Sequence, residues 1–167
     1  MKHPKGFTLV EMALYVGICS VVLFSLSTLF ATLVSSRVKN QIITEVNQQG
    51  AFVMNTITYA VRNGVSIQSP ASGSASSTLI ITSSNPAINP SIIYGSSSRV
   101  VIRESTSTEI FLTNTRVIVN SLLFENVSSS TTDTVIRVSF TISGNTNSTK
   151  QEFNYSKTFT GSATLRQ

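Results

Sequence analysis

The sequence has no tryptophan, one cysteine and one histidine, and charged residues make up only 11% of its 167 residues. The usual charged share is about 25%. Each shortage removes a class of chemistry. Cys19 has no second thiol to pair with, so no disulfide framework can form within the chain. His3 is the single imidazole, and no Cys/His cluster or HExxH spacing offers a zinc site. No phosphate-binding loop and no GxSxG elbow is present. Beyond the N-terminal region the acidic residues stand apart: Glu45, Glu104, Glu109, Glu125, Asp133 and Glu152. Glu104 and Glu109 read as a surface pair at a strand and turn, since a general acid–base pair needs a pocket to hold it. No Asp/Asn-rich loop supplies the oxygen ligands of a calcium site. The expectation is a protein that is not an enzyme, with no cofactor and no metal.

The formal charge is +5, and without Lys2 and Lys5 it falls to about +3. A nucleic-acid-binding face needs basic residues clustered on one surface. Arg99, Arg103, Arg116 and Arg137 lie in separate segments and read as solvated strand positions, so nucleic acid is not an expected partner.

What the chain does have is one long apolar run. After Glu11 no charged residue occurs until Arg37. The stretch from Met12 to Val34 is long enough to cross a bilayer as a helix, which takes about 20 residues. Its hydroxyl residues, Ser20, Ser25, Ser27, Thr28 and Thr32, can bond to carbonyls one turn earlier. Cys19 fits there as a small hydrophobe. Gly17 is the one weak point of that helix.

Three readings of this N-terminus compete. A secretory signal peptide needs an apolar core of about 7–15 residues and a small-x-small cut site; the run here is longer and leads straight into a helical pattern. A plain signal anchor would use Lys2 and Lys5 to keep the N-terminus cytoplasmic, but gives no reason for Glu11 at the edge of the span. A carboxylate in that position is costly toward the membrane centre and is a functional residue by default.

The third reading rests on a resemblance. Gly6-Phe7-Thr8-Leu9-Val10-Glu11, followed by the apolar run, resembles the class III leader of type IV pilins and of type II secretion pseudopilins. The resemblance implies that a prepilin peptidase cuts between Gly6 and Phe7 and that Phe7 is then N-methylated. It also implies that Glu11, fifth in the mature chain, pairs with the freed amine of a neighbouring subunit during assembly. In an apolar filament core that pairing fixes register, because a mis-stacked subunit leaves a buried charge alone. Many major pilins carry a proline near the middle of the apolar helix; this span has none.

The helix is expected to run on past the span. Val38, Ile42, Val46, Val53, Ile57 and Val61 recur at helical spacing on one face, and the pattern stops at Asn63-Gly64, which reads as a C-terminal cap. A helix from Thr8 to Asn63 would be about 84 Å long. Gly50 in its middle suggests a bend. The Ser/Ala/Gly-rich segment 66–77 reads as a loop. Strands are expected at Thr78–Thr82, Ser91–Tyr94, Arg99–Arg103, Glu109–Thr113, Val117–Val127, Thr134–Ser143 and Gln151–Leu165. The clearest has Ile136, Val138, Phe140 and Ile142 facing one way and Arg137, Ser139 and Thr141 the other. Ser128–Asp133 and Gly144–Asn147 read as turns. Three Asn-x-Ser/Thr triplets, at Asn126, Asn147 and Asn154, match an N-glycosylation pattern of little weight in the prokaryote that the leader implies.

The order is α+β: a leader at 1–6, an N-terminal helix at 7–64 with a span at 12–34, and a β-rich domain at 65–167 forming an antiparallel sheet on the helix's second half. That order matches the pilin architecture, and the C-terminal end resembles the last strand of minor pilins and pseudopilins. The function this implies is a structural subunit, minor rather than major, of a type IV pilus or type II secretion-like pseudopilus. Its partners would be other pilin-like subunits, the prepilin peptidase and an inner-membrane assembly platform. It would sit in the cytoplasmic membrane as a single pass, N-terminus inside, before moving to a surface pilus or periplasmic pseudopilus. The alternatives are a membrane-anchored binding or adhesion domain that never polymerises, and a tip subunit for DNA uptake.

Overall fold

The computed structural model describes residues 8–128, 134–145 and 154–166. Two compact units divide the chain, Met1–Asn40 and Gln41–Gln167. One helix, α1 (Leu9–Arg62), begins in the first and ends in the second.

In the first unit the apolar side chains of α1 have nothing covering them, from Leu9 and Val10 through Phe24 and Phe30 to Val34. This part of α1 is long and apolar enough to cross a membrane. The hydroxyls within it turn back onto the helix. Ser20 Oγ donates to Gly17 O at 2.8 Å, Ser27 Oγ to Leu23 O at 2.9 Å, Thr28 Oγ1 to Ser25 O at 2.8 Å and Thr32 Oγ1 to Leu29 O at 2.7 Å. Each such bond hides a polar group that hydrocarbon could not solvate.

In the second unit Val46, Val53, Ile57 and Val61 of α1 are fully buried. Their spacing of four and seven residues puts them on one face, as the sequence pattern predicts. Complete burial of such side chains is worth roughly 1.5–3 kcal/mol each. The nine strands described are β1 (Ser66–Ser69), β2 (Ala75–Ser76), β3 (Thr78–Thr82), β4 (Ser91–Ser96), β5 (Arg99–Glu104), β6 (Ile110–Phe111), β7 (Val117–Asn126), β8 (Val135–Gly144) and β9 (Ser156–Thr164). They form two antiparallel sheets where one was expected, in the orders β1-β3-β4-β5-β6 and β2-β7-β8-β9. On β8, Ile136, Val138, Phe140 and Ile142 are buried, the alternation read from sequence. Their β9 partners are Ala163, Gly161, Phe159 and Lys157. Leu79, Ile81, Ile93 and Val100 of the other sheet join the same core.

Gly50 does not break the helix, which is continuous through it. A Cβ there would lie 2.1 Å from Phe159 Cζ. The glycine lets the backbone of α1 approach β9, and Phe159 in turn stacks on Phe140 with ring centroids 5.4 Å apart. Beside it, Lys157 Nζ donates to Asn47 Oδ1 at 2.8 Å. At the helix end Gly64 N donates to Val61 O at 3.2 Å, and a Cβ on Gly64 would meet Ile81 Cγ2 at 2.5 Å. Close packing requires glycine there.

The segment 66–77 corrects the loop expectation, since it contains β1 and β2. Ser66 and Ile67 pair with Thr82 and Ile81 of β3, while Ala75 and Ser76 pair with Glu125 and Phe124 of β7. A polar composition hides such edge strands because their partners supply the ladder. The expected strand at 109–113 shortens to β6, though Leu112 N still donates to Val100 O at 2.8 Å and Thr113 Oγ1 accepts from Val100 N at 3.2 Å. The last strand begins at Ser156; residues 151–153 and most of the two predicted turns, 129–133 and 146–147, lie outside the described residues.

Asn126, buried at the end of β7, ties the two sheets' connections together. Its Nδ2 donates to Pro70 O at 3.0 Å and its Oδ1 accepts from Ser128 N at 3.2 Å. Its backbone exchanges bonds with Gly73 N and Ser74 O, each at 2.9 Å. Glycosylation of this side chain would have to break that network.

Candidate functional site

The sequence places function at the start of α1, and there the structure describes Thr8 onward. Gly6 and Phe7 lie outside the described residues. Glu11 occupies the first turn of α1, exposed. The turn is capped by Thr8: its Oγ1 accepts from Glu11 N at 3.3 Å, and its carbonyl accepts from Met12 N at 3.1 Å. The first satisfies one of the donors that a helix leaves open at its N-terminus, and the second is the first bond of the helical ladder.

Thr8-x-x-Glu11 is the spacing of a capping box, in which a Thr cap and a Glu three residues later support the same turn. The spacing alone carries this signal. Glu11 therefore has a local role as well as any intermolecular one: its charge stands where the helix dipole favours an anion. Among the described residues no cation forms an ion pair with it.

The uncovered apolar surface, begun by Leu9 and Val10, continues past Glu11. Met12, Leu14, Val21, Phe24, Leu29 and Phe30 are all at least half exposed, and Cys19 is a free thiol among them. The next charged residues are Arg37 and Lys39. The arrangement is a single carboxylate at one end of a long greasy rod and two cations at the other. Such a rod is long and apolar enough to anchor the chain in a bilayer.

Among the described residues no three His, Cys, Asp or Glu side chains come together as a metal cage. Of the acidic residues in the second unit, Glu45 accepts from Gln49 Nε2 and Asn114 Nδ2, Glu109 accepts from Tyr94 Oη, and Glu125 faces Arg137 at 3.4 Å. Glu104 ends β5 and Glu109 directly precedes β6, the strand paired with β5, so both lie at one strand-and-turn edge.

Comparison of the chain with protein-family models, with curated proteins and with solved structures finds no match.

Proposed function

We propose that this chain is a structural subunit, of the minor kind, in a type IV pilus or a type II secretion-like pseudopilus. It is made with the leader 1–6, cut by a prepilin peptidase between Gly6 and Phe7, and N-methylated at Phe7. It waits in the cytoplasmic membrane as a single pass with its N-terminus inside. It then joins other pilin-like subunits through α1 at an inner-membrane assembly platform, and ends in a surface pilus or a periplasmic pseudopilus.

One observation carries the proposal. The apolar surface of α1 is uncovered from Met12 to Val34 and opens on a single carboxylate, Glu11, while residues 46–61 of the same helix form the spine of a β-domain. A plain anchor needs the span but not the carboxylate or the shared helix. A filament subunit uses all three: the span for storage and then for packing, the carboxylate for register, the shared helix to carry the domain.

The pairing is tested with Glu11→Ala. Removing one partner of a buried charge pair costs about 3–5 kcal/mol, so incorporation into shear-released filaments should fall at least about tenfold, with cleavage of the leader unchanged. Wild-type protein absent from sheared filaments altogether would favour the membrane-anchored binding domain. Normal incorporation of the variant would remove Glu11 from the assembly mechanism.

A further inference from the structure

The second unit contains a cleft that the filament reading does not use. It lies where the β4–β5 hairpin turn meets a bulge in β7, and is lined by Ser77, Thr78, Tyr94, Ser98, Arg99 and Ser121 among others. Val119 and Leu122 add an apolar floor. The backbone there is held in an unusual form. Ser97 and Ser98 have φ of 51° and 59°, and Ser121 has φ of 52°. A non-glycine residue in this left-handed region costs roughly 1–3 kcal/mol, and two of the four found in the described residues, Ser98 and Ser121, line this one cleft.

Arg99 is the cleft's cation. Its Cζ stands 3.5 Å from the centroid of the Phe111 ring, and the side chain is half-buried. Among the described residues the guanidinium has no ion-pair partner and no hydrogen-bond acceptor. The hydroxyls of Ser77, Thr78, Ser98 and Ser121 are likewise without side-chain hydrogen bonds among the described residues. Tyr94 is occupied, donating to Glu109, and Arg103 acts on it from the opposite sense to that carboxylate.

We propose that this cleft binds an acidic sugar, a hexuronic acid unit, through its carboxylate. A planar guanidinium already oriented by an aromatic ring loses little freedom when it takes a carboxylate in its two-pronged geometry. Four free hydroxyls over an apolar floor match the alternating hydroxyl and C–H surface of a sugar ring. A phosphate dianion fits less well, because one free arginine with Glu109 close by suits a single negative charge. The cleft lies within the Gln41–Gln167 unit, so the inference stands whether or not the chain polymerises.

The test is calorimetric or NMR titration of the full chain in detergent micelles with glucuronic and galacturonic acids. Glucose serves as the neutral control and acetate as the bare carboxylate. Saturable binding in the millimolar range by a uronic acid is expected, with glucose and acetate each at least about tenfold weaker. Arg99→Lys keeps the charge but not the fork, and should weaken binding at least about fivefold. Thr78→Val, which leaves the Arg99–Phe111 stack untouched, should weaken it about threefold or more. No saturable uronic acid binding, equal binding of glucose or acetate, or full binding by folded Arg99→Lys would each overturn the proposal.

Discussion

The ring of Phe159 fills the space that a side chain on Gly50 would need, with Cζ 2.1 Å from the position of the missing Cβ. This contact sets how closely α1 and β9 approach, and through the Phe140 stack it reaches β8. Two opposing effects decide what Gly50→Ala does. Helix propensity alone favours alanine by about 1 kcal/mol, whereas forcing a methyl into an aromatic ring costs about 1–3 kcal/mol or more. The clash wins: Gly50→Ala should lower the urea midpoint of unfolding, and Phe159→Leu in the same chain should recover part of the loss. A raised midpoint for Gly50→Ala alone would mean that the ring moves aside freely.

Asn126 should behave as a buried structural amide. Asn126→Ala strips Pro70 O of its partner and frees Ser128, and an unsatisfied buried polar group costs about 1–3 kcal/mol. The check is again the denaturation midpoint. The same network predicts that the Asn126-Val127-Ser128 triplet stays unmodified when the folded chain is made in a glycosylating host, read as an unchanged mass at that peptide.

How much of this was legible beforehand depends on where each residue's partner lies. The buried stripe Val46, Val53, Ile57 and Val61 and the alternation of β8 are periodic within one element, so the sequence alone displays them. Gly50 suggests a bend in the sequence, whereas the packing reason for a glycine there, Phe159, lies far along the chain. β1 and β2 were missed because Ser and Gln at a sheet edge look the same as Ser and Gln in a loop; only pairing with Thr82, Ile81 and Glu125 distinguishes them. Two sheets rather than one follow from β7 pairing with β2 and β8 and not with β6, which no local pattern announces. At the candidate site Glu11 was found through resemblance, while its cap, Thr8, was readable from spacing. Arg99 looked like one of four scattered cations. Its stack on Phe111, and its lack of a polar partner among the described residues, exist only in three dimensions.

Tyr94 predicts a pH dependence. The hydrogen bond to Glu109 is the main cause holding its phenol above the ordinary value of 10.0, with burial and the Glu109 charge adding and Arg103 opposing. The folded chain therefore keeps this proton at a pH where the unfolded chain has released it. The resulting contribution to stability is complete below about pH 10 and is lost as pH rises through the folded-state value. Between about pH 9 and pH 11 the wild type should lose more stability than Tyr94→Phe. Parallel curves for the two proteins would contradict the assignment.

The central claim concerns the junction before α1, where the proposed cleavage would create an amine close to Glu11 in the first turn of the helix. Mass spectrometry of the mature N-terminal peptide from membranes tests it most directly. The account predicts a chain that begins at Phe7 and carries an N-methyl group. A chain that retains Met1, or one cut beyond Val34, would contradict it.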